Sequence, residues 1–203
     1  MKYMCVVVLF FACNSSPKLP FYTEASFTPN WEETENIHTI PTFSFKNQYG
    51  EVVTEETFKN RIYIADFVFT TCPGICPKMT TNMQRVQEAF KADSRVMFLS
   101  HSVTPEIDSI PVLYQYAMAN KAIKDKWHIV TGKKKEIYSI ARNAYFADED
   151  MGNLSDETRF LHTENFLLID QKRRIRGVYN GTLPADIQRL IGDVKRLQKE
   201  FAI

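Results

Sequence analysis

Long apolar runs without alternation set the frame of this chain. After Arg61, the stretch to Phe69 is apolar and β-branched but for Asp66. Runs of this kind belong to strands covered on both faces, as in a sheet sandwiched by helices. Asp66 reads as a hydrogen-bonded buried or edge carboxylate. Arg95 to Ser100 predicts a second buried strand and Trp127 to Val130 a short third. Glu164 to Asp170 and Arg174 to Tyr179 predict two more, joined by Gln171, Lys172 and Arg173. Only Ile40 to Phe45 alternates; it turns at Asn47 to Gly50 and resumes at Val52 and Val53, which predicts a hairpin.

Between these runs the period changes to that of a helix. Met79, Met83, Val86 and Phe90 recur on one face after Pro77, a residue suited to a first helical position. Glu106 to Asn120 is expected to be helical, with Ile110, Leu113, Tyr114 and Ala117 on its inner side. Lys134 to Ala144 follows with Ile137, Ile140 and Ala141. The last helix starts near Thr182 to Pro184 and carries a stripe from Leu183 through Ile187, Leu190, Ile191, Val194 and Leu197 to Phe201. Asp148 to Arg159 is polar and reads as a loop. Alternating strands and helices, then a strand pair and a terminal helix, predict an α/β fold: a central mixed sheet with helices on both faces and an N-terminal β-hairpin.

The first 13 residues have a different pattern. One positive charge precedes the apolar run Cys5 to Ala12, which is shorter than the ~20 residues a membrane span needs and fits a secretory signal. Ala12 directly before Cys13 resembles a bacterial lipoprotein signal, with Cys13 lipidated. The expected organisation is a signal over residues 1–13, a tether over 14–36, and one domain over 37–203. Phe21, Tyr22, Phe27 and Trp31 make the tether more aromatic than a free linker requires, so part of it is expected to pack on the domain. The protein is therefore expected to be exported and membrane-anchored, facing the periplasm.

Composition narrows the function. Twenty-five basic and 24 acidic residues leave +1, which gives no electrostatic reason for a nucleic-acid partner. No glycine-rich phosphate loop or nucleophile elbow is present. Beyond Cys5 and Cys13, the cysteines are Cys72 and Cys76, in Thr71-Cys72-Pro73-Gly74-Ile75-Cys76-Pro77. One thiol pair cannot staple a domain of this size, so its stability must come from its core.

The pair falls at the turn from the first buried strand into its helix, the thioredoxin-like arrangement. A thiol at a helix N-terminus sees the positive end of the macrodipole, which favours thiolate, the form that is both nucleophile and soft-metal ligand. Gly74 lets the loop close, and Pro73 and Pro77 stiffen it. Two thiolates suit Cu(I), and an added imidazole extends the site to Cu(II). His162, at the mouth of a long loop before a strand, is the first candidate imidazole, and His101, after a strand, the second. His38 and His128 read as structural. Met79 and Met83 read as core despite their closeness to the thiols. Zinc would need a fourth ligand that no second cysteine pair supplies. A structural disulfide, a thiol–disulfide oxidoreductase and a peroxidase-like thiol enzyme stay open on the same cysteines.

Asp66-Phe67-Val68-Phe69-Thr70-Thr71-Cys72-Pro73-Gly74-Ile75-Cys76-Pro77-Lys78-Met79 resembles the signature of the Sco/SenC copper chaperones for cytochrome c oxidase assembly. His162 to Asp170 and Pro105 to Ala117 are similar to two further segments of that family. The resemblance, spanning about Pro41 to Ala202, implies a thioredoxin-like fold and copper held by Cys72, Cys76 and His162. The chain departs from the family at His101, where an acidic residue is usual, and His101 is read as an imidazole near the metal and not a ligand. The resemblance also implies delivery of copper to the Cu(A)-bearing subunit of a terminal oxidase, with other copper chaperones or thiol reductants as further partners. A reductase acting on the oxidase's ligand cysteines is the alternative.

Overall fold

The computed structural model describes residues 18–34, 37–147 and 163–201. The expected hairpin is β1 (Ser44–Asn47) and β2 (Val52–Thr54), with Gly50 at φ +78° in its turn. A 3-10 turn (Glu55–Phe58) leads into β3 (Ile62–Val68), buried at every position. Then follow α1 (Cys76–Ala89), β4 (Val96–Ser102), α2 (Ile110–Ala119), β5 (Trp127–Thr131) and α3 (Lys134–Asn143). Strands β6 (Asn165–Ile169) and β7 (Ile175–Asn180) and helix α4 (Pro184–Glu200) complete the described chain.

The seven strands form one sheet in the order β2-β1-β5-β4-β3-β6-β7. Strands β3, β4 and β5 are parallel, flanked by antiparallel β1 and β6. Strand parity sorts the core into two layers. Ile62, Ile64, Val68, Val96 and Phe98 face α1, α2 and α4, meeting Met79, Met83, Leu113 and Leu190. Tyr63, Ala65, Phe67, Met97 and Leu99 face the other side, where α3 supplies Ile137, Tyr138 and Ile140. The mixed sheet with helices on both faces is as the apolar pattern predicts, and Met79 and Met83 are fully buried core.

Two local expectations change. Helix α2 begins at Ile110 rather than Glu106, with Ser109 as N-cap and a proline in the first turn. Residues 104–109 instead form a turn in which the Ile107 and Asp108 amides donate to the Thr104 carbonyl at 2.9 and 2.8 Å. Tyr114 is 40% exposed rather than inward; it stands edge-on to Tyr49.

The segment before the hairpin is bound to the domain's edge. Leu19 and Phe21 are buried. Phe21 pairs with Asn30, and Tyr22 pairs with Ile175 on β7. Phe21 lies against the guanidinium groups of Arg174 and Arg176, 4.8 and 4.3 Å from its ring centre. This strap covers part of an edge strand that would otherwise offer free amides.

Candidate metal centre

Strand β3 carries its buried run to Val68 and releases the chain into the loop 69–75, and α1 opens at Cys76. Prolines at 73 and 77 and Gly74 end the strand and permit the sharp entry to the helix. The Cys72 amide donates to the Phe69 carbonyl at 3.1 Å, closing a turn under the first thiol. Lys78 and Met79 amides both donate to the Ile75 carbonyl at 3.0 Å, starting the helix. Thr80 returns its hydroxyl to the Cys76 carbonyl at 2.8 Å and meets the Tyr116 hydroxyl at 2.6 Å.

The two thiols are free, and they differ in kind. Cys72 is partly exposed and Cys76 is buried. Burial opposes ionisation of Cys72, but the amides of Cys76, Gly74 and Ile75 and the Cys76 thiol donate to its sulfur and lower its pKa. The Gly74 amide stands 3.4 Å from that sulfur. Burial pushes the Cys76 thiol up to about 12, despite a bond from the Phe69 amide, with Cys72 and Asp66 adding negative charge nearby. A partly exposed thiol eased toward ionisation and a buried one held back from it form a pair whose second proton leaves only when a cation or a bond to sulfur takes its place.

Under this pair, Asp66 is fully buried on β3, and burial raises its carboxyl to about 7 although Ser100 donates to it at 2.5 Å. Trp127 donates its indole N–H to Ser100 at 2.8 Å, extending the chain of bonds. The second Asp66 oxygen has no partner among the described residues. On sequence alone Asp66 reads as an ordinary buried carboxylate. The signal was its solitary charge in an otherwise apolar strand, six residues before Cys72.

His101 sits inside β4, not after it, and pairs in register with Phe67 on the α3 side of the sheet. It is fully buried, stacked on Phe67 at 5.1 Å and edged by Phe45 and Tyr145 at 5.5 Å. Helix α1 covers the other face, so His101 is not the imidazole beside the thiols that its sequence position suggests. Parity along β4 is the reason. Neither ring nitrogen has a partner among the described residues, and burial holds its pKa down to about 3. His38 bonds the Ala144 carbonyl at 2.8 Å, and His128 meets Asn47 at 3.2 Å, both remote structural roles.

His162 and Cys13 lie outside the described residues. Strand β6 runs antiparallel to β3, with Leu167 opposite Ala65. The chain therefore enters β6, from Thr163 onward, at the end of the sheet where β3 delivers Cys72. No group of three or more histidine, cysteine, aspartate or glutamate side chains that could hold a metal occurs among the described residues, which supply the two thiols. A cavity of about 650 Å³ opens beside Phe43, Phe45, Ile140 and Ala144 and includes neither thiol.

A dithiol at the strand-to-helix turn of this sheet defines a thioredoxin-like protein built around paired sulfur chemistry. The SCO1/SenC family model matches residues 32–199, and the chain belongs to that family. It is 32% identical to the SCO1 protein homolog of Bacillus subtilis strain 168 over 160 residues, 78% of this chain and 82% of that one. Among solved structures it is similar to a SCO1/SenC family lipoprotein from Bacillus anthracis (TM-score 0.69, 28% identity, covering 79% of this chain and 95% of that one). It is also similar to BsSco, described as a member of the Sco family of cytochrome c oxidase assembly proteins that carries a disulfide switch (TM-score 0.65, 29% identity, 79% and 93%). Arabidopsis thaliana ScoI, solved with copper bound, matches with TM-score 0.60 and 26% identity over 78% of this chain and 98% of that one.

Proposed function

We propose that this protein is a copper metallochaperone that takes copper through Cys72, Cys76 and His162 and passes it to the Cu(A) site of cytochrome c oxidase. The observation that carries this reading is the free, unequal thiol pair at the strand-to-helix turn. Two soft sulfurs suit Cu(I), and an imidazole from the loop before β6 would let the same site hold Cu(II). Copper is the cargo. The Cys72 thiolate is the first contact, because it is the more exposed and the more readily ionised sulfur. Capture by Cys76 follows with loss of its proton, and release reverses the order onto the recipient's ligands. Family membership and the copper-bound relative support the metal. We place the protein outside the cytoplasmic membrane, anchored through a lipid on Cys13; the lipoprotein among its structural relatives supports this. No described helix is long and apolar enough to cross a membrane.

The reading is tested by mixing the copper-loaded chain with a copper-free soluble Cu(A) domain. Transfer is expected as the appearance of the Cu(A) absorption spectrum with loss of copper from the chain. Copper that stays on the chain while the recipient remains empty would contradict it.

The unequal thiols favour a second activity on the same residues, reduction of the recipient's cysteines. Cys72 would attack a disulfide sulfur, and Cys76 would resolve the mixed disulfide, leaving Cys72–Cys76 oxidised and the target's two thiols reduced. It requires no His162. A His162→Ala chain that still reduces the target's disulfide but carries no copper would separate the two roles.

A further inference from the structure

The two cysteines are positioned by different means. Cys76 belongs to α1 and is fixed by helix hydrogen bonds and burial. Cys72 belongs to an irregular loop, where its angle to Cys76 depends on what secures the loop. Thr70, two residues before Cys72, donates its hydroxyl to the carboxylate of Asp108. Asp108 is fully buried in the turn between β4 and α2. Its other oxygen accepts from Ser102 at 2.6 Å and Thr104 at 3.0 Å. Ser102 in turn accepts from the Thr104 amide at 3.2 Å. No lysine or arginine pairs with Asp108 among the described residues; three hydroxyls share its charge.

We propose that Asp108 is a positioning residue for the dithiol, which through Thr70 holds the Cys72 loop at the spacing from Cys76 that lets both sulfurs act on one atom. A carboxylate accepting several hydroxyls makes stronger and more directional bonds than neutral partners do. It links the end of β4 to the loop-borne half of the pair. Groups of this kind orient ligands without touching the metal, and losing them costs roughly 10–100-fold in affinity at known metal sites. The same spacing sets the effective concentration of one thiol at the other, hence the ease of closing a Cys72–Cys76 disulfide. The proposal rests on Cys72 and Cys76 working as a pair, with either copper or a disulfide as the product.

Thr70→Val removes the hydroxyl at nearly constant volume and leaves Ser102 and Thr104 on Asp108. Thr70→Ser retains the hydroxyl. Each full chain is equilibrated in glutathione buffers, where oxidised glutathione takes two electrons and two protons from the thiols and becomes two reduced molecules. The equilibrium constant for closing Cys72–Cys76 is expected to fall about tenfold in Thr70→Val, with Thr70→Ser close to the parent and the unfolding midpoint of each variant measured alongside. A Thr70→Val constant within about twofold of the parent, or a loss that Thr70→Ser fails to restore, overturns the proposal. The measurement uses no copper, so it stands if the chaperone reading fails. A Cu(II) titration beside it is expected to show weaker binding and shifted sulfur-to-copper absorption in Thr70→Val.

Discussion

The two ends of the sheet are secured in contrasting ways. At the end away from the thiols, Arg174 and Arg176 are almost fully buried against Asp170, with Arg176 reaching Glu200 at 2.6 Å and Arg174 reaching Glu33. Arg176 also donates to the Leu19 and Pro20 carbonyls at 2.7 and 3.1 Å, which fastens the strap. At the thiol end, Asp66 and Asp108 are as deeply buried but are met only by hydroxyls among the described residues. The difference follows from what each end does. Paired guanidinium groups lock a permanent joint, while a thiol site that must accept a cation is best left without a competing one.

The largest expected effect breaks the locked end. Arg176→Leu takes the cation from Glu200 and leaves Asp170 with Arg174 alone, and breaking a buried ion pair costs about 3–5 kcal/mol. Chemical unfolding should show that loss, with the alkylation rate of Cys72 unchanged; a loss under about 1 kcal/mol would mean the joint is ornamental. At the other end the effects reverse. Cys72→Ser should abolish tight copper binding while leaving unfolding within about 1 kcal/mol of the parent, since a partly exposed loop residue buries little.

A smaller effect lies in pH. Asp66 is held up to about 7 by burial, from an ordinary value of 3.8. In that window the folded chain keeps a proton that the unfolded chain has released, so stability falls as pH rises from about 4 to about 7. His101 is held down to about 3 by burial, from 6.5. Below 6.5 the unfolded chain takes a proton that the folded chain refuses, so stability falls as pH falls toward 3. Between about 4 and 6.5 the two slopes oppose and largely cancel in the parent, so Asp66→Asn should unmask a limb that falls toward acid and His101→Phe a limb that falls toward neutral pH, each up to ~1.4 kcal/mol per pH unit. Unfolding curves at four pH values read both; parallel limbs in parent and variants would contradict the assignment. Smallest of all, Lys59→Ala removes an exposed pair with Glu56 at 2.8 Å and should move the thermal midpoint negligibly.

The contrast also explains what the sequence disclosed. The unbroken apolar runs gave up β3 and β4, and periodicity gave α1, α3 and α4, because burial on two faces or one stripe leaves a direct imprint on residue choice. The strand-to-helix setting of Cys72 and Cys76 followed from the same pattern. What stayed hidden depends on partners distant in sequence. Asp108 matters through Thr70, which only the pairing of β3 with β4 brings near. Leu19 and Phe21 are core only because Arg174 and Arg176 return to meet them. The place of His101 at a strand end is visible in sequence and suggests nearness to the thiols, but the face it takes shows only in its pairing with Phe67. Tyr114 carries the period of an inner residue and faces outward, because the buried stripe of α2 is narrow, with Leu113 and Ala117 alone fully covered.

On the proposed reading a third donor, His162, completes what Cys72 and Cys76 begin. Copper titration of the reduced full chain beside His162→Ala tests it most directly, read by stoichiometry and by absorption. One copper per parent chain with sulfur-to-copper bands is expected, with binding at least about tenfold weaker and altered bands in His162→Ala. An alanine variant that binds copper as tightly, with the same spectrum, would contradict the three-ligand site.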